Sequence, residues 1–574
     1  MKKIIVFISC LFCFEISNGQ APTFEWAKDI GNGGFKLGVN SGKSVAMDAS
    51  GNVYTTGYFN GTIDFDPGLG VFNLTATSED GFVLKLDPAG NFLWAKQMLG
   101  TMDGRGNSLL IDVLDNVYIT GYFTGIVDFD PGVGINSIAS AGSYDMFILK
   151  LDSSGNFIWA KNIGGAYSDG AYTIALDILG NVYTSGFFSN TVDFDPGIGI
   201  FNLTAFSSSP YNDIFISKLD SSGNFIWAKN IGGTLSGIGI GYSIDVDISG
   251  SVYTTGFFKG TADFNPGVGI FNLVSTGGDD IFISKLDTYG NFLWAKKMGG
   301  VSGDIAYSIA FDSFGNIYTT GNFNGTADFD PNAGIYNLIS SGSYNNAFIS
   351  KLDSLGNFVW AKSIGGTSFN FGTSISLDAL DNIYATGYFQ GTTDFDPSAG
   401  IVNLTSVGGY DIYVLKLNAT GSHLWAFKMG SNINDYGVSI TQDALSNIYT
   451  VGGFQGVADF DPGVGTFSLS STANDIFIQK MSQGNLTTTI NEATYLNNIS
   501  IYPNPNNGIF NISISSQINK GIIAVYNSIG ALVYLQEITN QENSIELSNQ
   551  ANGLYFVKVM SDNKIVGTRK IIKE

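Results

Sequence analysis

Short runs in which apolar and polar residues alternate recur along most of this chain. In one representative unit, residues 308–312 and 316–323 alternate, and residues 347–353 and 357–362 form two further runs. Glycine, asparagine and aspartate stand between the runs. Alternation with a period of two residues, bounded by such turn formers, is typical of β-strands. The pattern therefore predicts an all-β fold built from four-stranded units.

Two motifs repeat at the same interval, and their number of copies gives the number of units. Tryptophan, always followed by alanine, stands at positions 26, 94, 159, 227, 294, 360 and 425, so successive tryptophans lie 65 to 68 residues apart. Asp-Phe-Asp-Pro recurs at a similar interval, with Asp-Phe-Asn-Pro in one copy. Seven repeats of this size indicate a solenoid, a propeller or an array. Four strands per repeat correspond to one propeller blade, and we expect a seven-bladed β-propeller over residues 21–486.

Turn-forming motifs join the strands within each repeat. Asp-x-x-Gly-Asn, or a close variant, separates the first two runs, as in residues 48–52, and the last two, as in residues 87–91. An aspartate side chain caps such a turn, and the glycine takes the left-handed conformation that follows. Most of these aspartates are therefore assigned to turn formation rather than to chemistry.

The two ends of the repeat region predict how the ring closes. The first repeat contains only the tryptophan strand, residues 24–30, whereas the last repeat lacks it. We expect the N-terminal strand to complete the last blade, because this pairs an edge that would otherwise be exposed. The alternative is that residues 485–490 supply the fourth strand of the last blade.

The N-terminus has the plan of a secretory signal peptide, predicted over residues 1–20. Lys2 and Lys3 precede an eleven-residue apolar run and a stretch of small residues. Eleven residues are too few to span about 30 Å of hydrocarbon, so we expect no integral membrane span. Both cysteines, Cys10 and Cys13, lie inside this segment, so the mature chain is expected to contain no disulfide. Cleavage as a lipoprotein at one of these cysteines is the alternative.

A second, smaller domain is predicted over residues 499–574, after a polar linker at 487–498. Alternating runs at 509–515, 522–526, 532–538, 553–560 and 565–572 predict a small β-sandwich. This domain holds six basic and five acidic residues, whereas the whole chain has a formal net charge of −22. The acidic excess therefore lies in the propeller. It argues against a nucleic-acid partner, because phosphate binding needs basic patches.

Few residues offer a nucleophile or a general base. The mature chain retains no cysteine and a single histidine, His423, at a position where most other repeats have phenylalanine. We therefore expect His423 to be a framework residue, and a zinc site would need further ligands. Nothing in the sequence marks a Ser-His-Asp arrangement, so no catalytic residue is predicted.

The Asp-Phe-Asp-Pro segments contain the candidate metal ligands. Alternate residues of an extended segment share a face, so the two aspartates point one way and the phenylalanine the other. Ca²⁺ takes about six to eight oxygen ligands, of which such a pair supplies a part. The competing role, which we favour, is a turn in which each aspartate accepts backbone N–H bonds. The thirteen aspartates are Asp64, Asp66, Asp128, Asp130, Asp193, Asp195, Asp263, Asp328, Asp330, Asp394, Asp396, Asp459 and Asp461.

The strand order puts the hairpin turns on one face of the ring and the Asp-Phe-Asp-Pro inserts on the other. The insert face also carries the more variable connections, 166–170, 234–241 and 368–371. Ligands tend to bind at such loops. The acidic inserts suit a cation, and exposed tyrosine or phenylalanine suits a neutral glycan. The innermost strands also differ among repeats, with tyrosine at 172, 242 and 307 and threonine at 373.

The repeats resemble the bacterial seven-bladed β-propeller repeat family, whose blades carry Gly-Asn-x-Tyr-x-Thr-Gly and Lys-Leu-Asp-x-x-Gly-Asn motifs. Residues 316–321 and 351–357 are examples in this chain. The resemblance covers about residues 24–485. It implies the fold but no single activity, because propellers host many functions.

The C-terminal region resembles the type A sorting domain of the type IX secretion system. Tyr-Pro-Asn-Pro at 502–505 with Gly508, the segment 526–530, Gly-Leu-Tyr at 553–555 and the basic tail at 569–573 carry the resemblance. It implies passage through the periplasm, export across the outer membrane by that machinery, and removal of the domain on release or surface attachment. An ordinary adhesion sandwich is the alternative.

We expect a monomeric, secreted or cell-surface binding or adhesion module without catalysis, whose extracellular ligand is a glycan or a protein. One alternative is a secreted enzyme that acts on glycans or peptides through acidic residues of the insert face. Such an enzyme would concentrate carboxylates with shifted pKa values in one or two blades. The other alternative is a structural surface protein stiffened by Ca²⁺.

Overall fold

The computed structural model of this protein describes residues 21–31, 40–206, 212–233, 238–312, 314–443, 445–483, 499–514, 521–527, 532–538, 540–550, 553–561 and 564–573. These residues form strands and turns and no helix, so the all-β prediction is confirmed for them. The chain divides into two units, Met1–Gly484 and Asn485–Glu574. The predicted signal peptide, the linker and the alternative strand at 485–490 lie outside the described residues.

The first unit contains the strands β1 to β38. The strands of its first half are β1 (Thr23–Ile30), β2 (Ser41–Met47), β3 (Val53–Asp64), β4 (Asn73–Leu86), β5 (Phe92–Gly100), β6 (Gly104–Ile111), β7 (Val117–Phe123), β8 (Ile126–Asp128), β9 (Ser137–Ala139), β10 (Asp145–Leu151), β11 (Phe157–Ile163), β12 (Gly170–Leu176), β13 (Val182–Phe188), β14 (Thr191–Asp193), β15 (Asn202–Thr204), β16 (Asp213–Leu219), β17 (Phe225–Gly233), β18 (Ile238–Val246) and β19 (Val252–Lys259). Those of its second half are β20 (Thr261–Asp263), β21 (Asn272–Val274), β22 (Asp280–Leu286), β23 (Phe292–Gly300), β24 (Ile305–Phe311), β25 (Ile317–Phe323), β26 (Thr326–Asp328), β27 (Asn337–Ile339), β28 (Asn346–Leu352), β29 (Phe358–Gly366), β30 (Asn370–Leu377), β31 (Ile383–Phe389), β32 (Thr392–Asp394), β33 (Asn403–Thr405), β34 (Asp411–Leu417), β35 (His423–Met429), β36 (Tyr436–Gln442), β37 (Ile448–Asp459) and β38 (Ser468–Ser482).

Most of these strands belong to antiparallel sheets. In all but the last of these sheets, the long strands pair in chain order and the short strands of the inserts are skipped. Each has the four long strands expected of one repeat. Within the described residues they are β2-β3-β4-β5, β6-β7-β10-β11, β12-β13-β16-β17, β18-β19-β22-β23, β24-β25-β28-β29, β30-β31-β34-β35 and β36-β37-β38-β1.

The last of these sheets takes its fourth strand from the N-terminus. Strand β1 pairs antiparallel with β38, from Thr23 opposite Ser482 to Ile30 opposite Ile476. Side-chain hydrogen bonds also join the first strands of neighbouring sheets. Leu109 N donates to Ser44 Oγ at 3.2 Å, and Val45 N donates to Ser439 Oγ at 3.4 Å. The second bond links β2 to β36.

The tryptophan that marks each repeat has a structural role between sheets. Trp94 Nε1 donates to the carbonyl oxygen of Ser153 at 3.3 Å, in the turn between the third and fourth strands of the next sheet. Trp26 in β1 makes the same bond to the Pro88 carbonyl at 3.3 Å. Trp159 and Trp227 make it too, so in these repeats the tryptophan ties a sheet to its neighbour, whereas Trp425 Nε1 has no hydrogen-bond partner among the described residues.

The aspartate turns form as predicted. Asp48 Oδ1 accepts the N–H groups of Ser50 (3.0 Å) and Asn52 (2.9 Å). Gly51, between them, has a φ of +81°, which is the left-handed region that glycine adopts without strain. The same bonds recur in the other turns of this motif, so the assignment of these aspartates to turn formation is confirmed.

The apolar core lies between neighbouring sheets. One cluster joins Tyr54 and Val83 of the first repeat to Leu109 and Phe123 of the second. Each of these sheets therefore buries both faces, which explains why most residues of its second and third strands are buried whichever face they point to.

The second unit has its own core. Its strands are β39 (Ile499–Tyr502), β40 (Ile509–Ile514), β41 (Gly521–Asn527), β42 (Leu532–Glu537), β43 (Glu542–Glu546), β44 (Gly553–Ser561) and β45 (Lys564–Lys573). They form the antiparallel sheets β39-β40-β43 and β42-β41-β44-β45. Phe510 of one sheet and Val557 of the other belong to the same buried cluster. Strand β43 is absent from the predicted runs because Ile545 is its sole apolar residue.

Candidate ligand-binding site

The inserts with the predicted metal ligands are hairpins held by their own aspartates. In the second repeat, Asp128 Oδ1 accepts the N–H groups of Asp130 (3.1 Å) and Asn136 (2.8 Å), and Asp130 Oδ1 accepts the N–H of Gly132 at 2.8 Å. The same three bonds recur at Asp64 and Asp66, Asp193 and Asp195, Asp263 and Asn265, Asp328 and Asp330, Asp394 and Asp396, and Asp459 and Asp461.

The one departure from aspartate shows what these bonds require. Asn265 Oδ1 accepts the N–H of Gly267 at 2.9 Å, so a neutral amide makes the bond that a carboxylate makes elsewhere. No group of three or more His, Cys, Asp or Glu side chains in the described ranges is placed to hold a metal ion. Calcium at the inserts stays a prediction.

Each insert is also anchored in the core, and most inserts pair with the end of the preceding sheet. The Phe129 ring is fully buried, 5.2 Å from the Phe123 ring and 4.9 Å from the Phe147 ring. In the fourth repeat, β20 pairs with the end of β17. There the carbonyl oxygen of Thr261 lies 1.8 Å from where a Cβ would stand on Gly233. This close approach explains the glycine pair that follows most tryptophan strands.

In the described part of the first unit, the first strand of each four-stranded sheet carries a β-bulge, and the bulged residue varies among repeats. These residues are Lys43, Asn107, Tyr172, Tyr242, Tyr307, Thr373 and Val438. Bulges redirect side chains and are frequent beside functional sites. The Tyr242 ring lies 5.1 Å from both the Tyr172 ring and the Tyr307 ring, so bulged residues of neighbouring sheets touch one another. The residues that differ among repeats in the sequence, at positions 172, 242, 307 and 373, are thus the bulged residues.

A cavity of about 690 Å³ opens beside Tyr172. Four tyrosines, one phenylalanine and one arginine line it: Tyr122, Tyr144, Tyr167, Tyr172, Phe187 and Arg105. Three serines, Ala166 and Asn212 complete the lining. Residues 166–168 come from one of the variable connections singled out in the sequence. The wall therefore combines aromatic faces with hydroxyl and amide groups.

Arg105 is held in place at the edge of this cavity. Its Nε and Nη2 both lie 2.5 Å from Glu79 Oε2, and its Nη1 donates to the Tyr122 hydroxyl at 3.2 Å. The guanidinium carbon lies 4.5 Å from the centre of the Tyr58 ring. Since 31% of the side chain remains exposed, Arg105 is both fixed and accessible.

A buried aspartate supports the opposite wall. Asp169 Oδ1 accepts the N–H of Ser189 at 2.9 Å and its Oδ2 accepts the N–H of Gly165 at 2.8 Å. Burial raises the pKa of Asp169 to about 7. Asp304 makes the equivalent bonds two repeats later, and burial likewise raises its pKa to about 7. This repetition indicates a structural role. These residues are not among those predicted from the sequence, although Asp or Asn stands three positions before the bulge in most repeats.

His423 takes the framework position expected for it. It stands opposite Leu417 in β35, as Phe358 stands opposite Leu352 in β29. Its pKa is lowered by burial, against the smaller opposing effect of Asp396 and Asp394.

Two segments of the chain match known protein families. Residues 500–574 match the secretion system C-terminal sorting domain, and residues 293–330 match the beta-propeller repeat. The chain carries a type IX secretion sorting domain. The protein is therefore secreted or attached to the outer cell surface, and its tail implies interaction with the secretion machinery. Among the described residues, none forms a helix long and apolar enough to cross a membrane.

Individual relatives are distant. A WD repeat-containing protein of Acanthamoeba polyphaga mimivirus is 26% identical over 509 residues, covering 75% of this chain and 36% of that protein. The regulatory protein FlaEY of Caulobacter vibrioides is 28% identical over 127 residues, covering 21% and 13%. The chain thus spans about a third or less of these relatives' lengths.

Solved structures give weak similarity. Sqt1 from Chaetomium thermophilum is 10% identical, with a TM-score of 0.35 and coverage of 81% of this chain and 99% of that one. A protein of unknown function from Bacteroides caccae is 11% identical, with a TM-score of 0.21 and coverage of 54% and 93%.

Proposed function

We propose that the protein is an extracellular recognition or adhesion module without catalysis. In this proposal its first unit is a seven-bladed β-propeller closed by the N-terminal strand, and it binds a glycan in the tyrosine-lined cavity. The pairing of β1 with β38 and the bond from Val45 to Ser439 support the closed ring. The observation that carries the function is the cavity itself.

The lining of the cavity suits a sugar. Aromatic rings pack against the C–H faces of sugar rings, while hydroxyl and amide groups pair with sugar hydroxyls. The Tyr172 ring lies 5.9 Å from the Phe187 ring, and the Tyr122 ring lies 5.2 Å from the Tyr144 ring. A volume of about 690 Å³ falls within the range of small-ligand pockets, about 300–1,000 Å³.

The distribution of carboxyl groups favours binding over catalysis. Within the described residues, the cavity lining contains no aspartate or glutamate. Carboxyl groups whose pKa is raised by burial recur instead around the repeats, as at Asp80, Asp213, Asp304 and Asp411. An active site would concentrate such groups in one or two repeats.

A glycan array followed by titration calorimetry tests this function. The secreted protein should bind a defined set of glycans, and Tyr172→Ala should weaken that binding at least about tenfold, because it removes an aromatic face. Tyr289→Ala is the matched control, since Tyr289 is 74% exposed in a hairpin turn away from the cavity lining. Absence of glycan binding, or equal binding by Tyr172→Ala, would overturn the proposal.

A further inference from the structure

Several lysines of the first unit occupy equivalent positions in successive repeats. The cations without such equivalents therefore stand out. Lys85 lies 4.7 Å from the centre of the Tyr54 ring and 3.4 Å from the turn residue Asp48. Equivalent lysines occupy the same environment in other sheets, as at Lys218 and Lys351. A residue repeated in this way has a structural role.

Arg105 and Lys43 break the repeat. Arg105 is the sole arginine among residues 1–484. By strand register, its position in the other sheets is taken by Ser41, Gly170, Ile240, Ile305, Phe371 and Tyr436. Lys43 is the one charged residue among the seven bulged positions. Both cations lie against the aromatic ring of Tyr58. The Lys43 ammonium is 5.4 Å from the centre of that ring, and the Arg105 guanidinium carbon is 4.5 Å from it.

The guanidinium of Arg105 retains donors for a ligand. It has five N–H groups, of which Glu79 takes one from Nε and one from Nη2 and the Tyr122 hydroxyl takes one from Nη1. With partners counted among the described residues, one N–H therefore remains on each terminal nitrogen. Two such groups match the two oxygens of a carboxylate, and a charge-assisted pair is about twice as strong as a neutral one.

Lys43 adds charge behind Arg105. Within the described residues, the Lys43 ammonium forms no hydrogen bond or ion pair, and the charged groups that act on it are Arg105 and Glu79. Asp103, a second carboxylate near Arg105, accepts hydrogen bonds from the hydroxyls of Ser78 and Tyr144. Two cations and two carboxylates therefore lie on this side of the cavity, and Asp169 is a further carboxyl group under the opposite wall.

We propose that the glycan bound in this cavity carries a carboxylate, as a uronic acid does, and that Arg105 binds it while Lys43 supplies supporting charge. This inference rests on the proposed glycan-binding function. The aromatic wall holds the sugar ring, and the arginine at its edge selects the acidic substituent.

Calorimetry on the full secreted chain tests the inference with uronate trisaccharides and their carboxyl-reduced, neutral counterparts. The acidic sugars should bind more tightly than their neutral counterparts. Arg105→Gln should weaken acidic-sugar binding by roughly 10- to 100-fold and change neutral-sugar binding much less. Lys43→Met should weaken acidic binding several-fold. Lys259→Met changes an exposed lysine outside the cavity lining and should leave acidic binding unchanged.

A pH series gives a measurement that does not depend on breaking the Arg105–Glu79 pair. Burial, followed by repulsion from Arg105, lowers the pKa of Lys43 to about 8. Affinity for the acidic sugars should therefore fall as pH rises through about 8, and this fall should be absent in Lys43→Met. Equal affinity for acidic and neutral sugars would overturn the carboxylate assignment while glycan binding stood. Binding of neither set would count against both proposals.

Discussion

Replacing Asp29 with asparagine should stabilise the protein at neutral and alkaline pH. Asp29 lies in β1, at a position where other sheets have a residue that donates a hydrogen bond to an aspartate of the third strand. Gln97 Nε2 donates to Asp80 at 2.5 Å, and Asn162 Nδ2 donates to Asp145 at 3.0 Å. In the sheet completed by β1, an aspartate faces Asp475 instead.

The paired carboxyl groups in β1 and β38 are poorly satisfied. Among the residues that the structure describes, Asp29 Oδ1 and Asp475 Oδ2 are both buried without a hydrogen-bond partner. Burial, reinforced by the charge of Asp475, raises the pKa of Asp29 from 3.8 to about 8. The folded protein therefore holds a proton near pH 7 that the unfolded chain has released.

The sign and size of the effect follow from this proton. A carboxyl group whose pKa is raised on folding contributes its full stability below pH 3.8, and that stability is lost as pH rises toward 8. At about 1.4 kcal/mol per pH unit, the loss between pH 3.8 and 7 is at most about 4 kcal/mol. Asp29→Asn removes this loss and supplies a donor to Asp475.

Urea unfolding of the wild type and of Asp29→Asn at pH 5, 6.5 and 8 measures the effect. The stability advantage of the variant should grow with pH and reach roughly 1–4 kcal/mol at pH 8. Asn162→Asp, which creates the same pair beside Asp145, should lose stability over the same range. An advantage for Asp29→Asn that is absent at pH 8, or constant across the three pH values, would refute the explanation that Asp29 is protonated in the folded protein.

Three further outcomes are expected. Gly233→Ala should lower the free energy of unfolding by about 2–4 kcal/mol, because the new Cβ would lie 1.8 Å from the Thr261 carbonyl oxygen. Gly303→Ala should cost much less, because the nearest neighbour of its Cβ would be 4.0 Å away. Thermal unfolding of both variants checks this. Asp130→Asn should unfold like the wild type and Asp130→Ala should lose about 1 kcal/mol, because an amide keeps the bond to the turn. A Tm that rises with calcium in the wild type but not in Asp130→Asn would instead favour the metal role. Deletion of residues 499–574 should leave the remaining chain in the periplasm on immunoblots of cell fractions, and its export would contradict the sorting role of the tail.

Much of the local structure could be predicted from the sequence because its chemistry is local and repeated. The hydrogen bonds that Asp48 accepts from Ser50 and Asn52 form within five residues. Each turn of this kind also contains a glycine or an asparagine, which makes it recognisable in the sequence. The buried phenylalanine of the inserts was likewise visible as one member of an alternating run.

The cavity was not foreseeable in the same way. Its residues, from Arg105 to Asn212, come from loops and inner strands of successive repeats. Tyr172 reaches it through a one-residue register shift between Ala171 and Thr173, which hydrophobic alternation does not reveal. Arg105 could have been noticed as the one arginine of the repeat region, yet its ion pair with Glu79 depends on a contact between neighbouring repeats.

Hydrogen–deuterium exchange with and without a glycan selected from the array tests most directly whether this cavity is the binding site. Binding in the cavity predicts slower exchange in residues 143–144, 166–168 and 187–189, with exchange unchanged in hairpin turns such as residues 112–116. Protection confined to the hairpin turns or to the tips of the inserts, with the cavity segments unchanged, would contradict it.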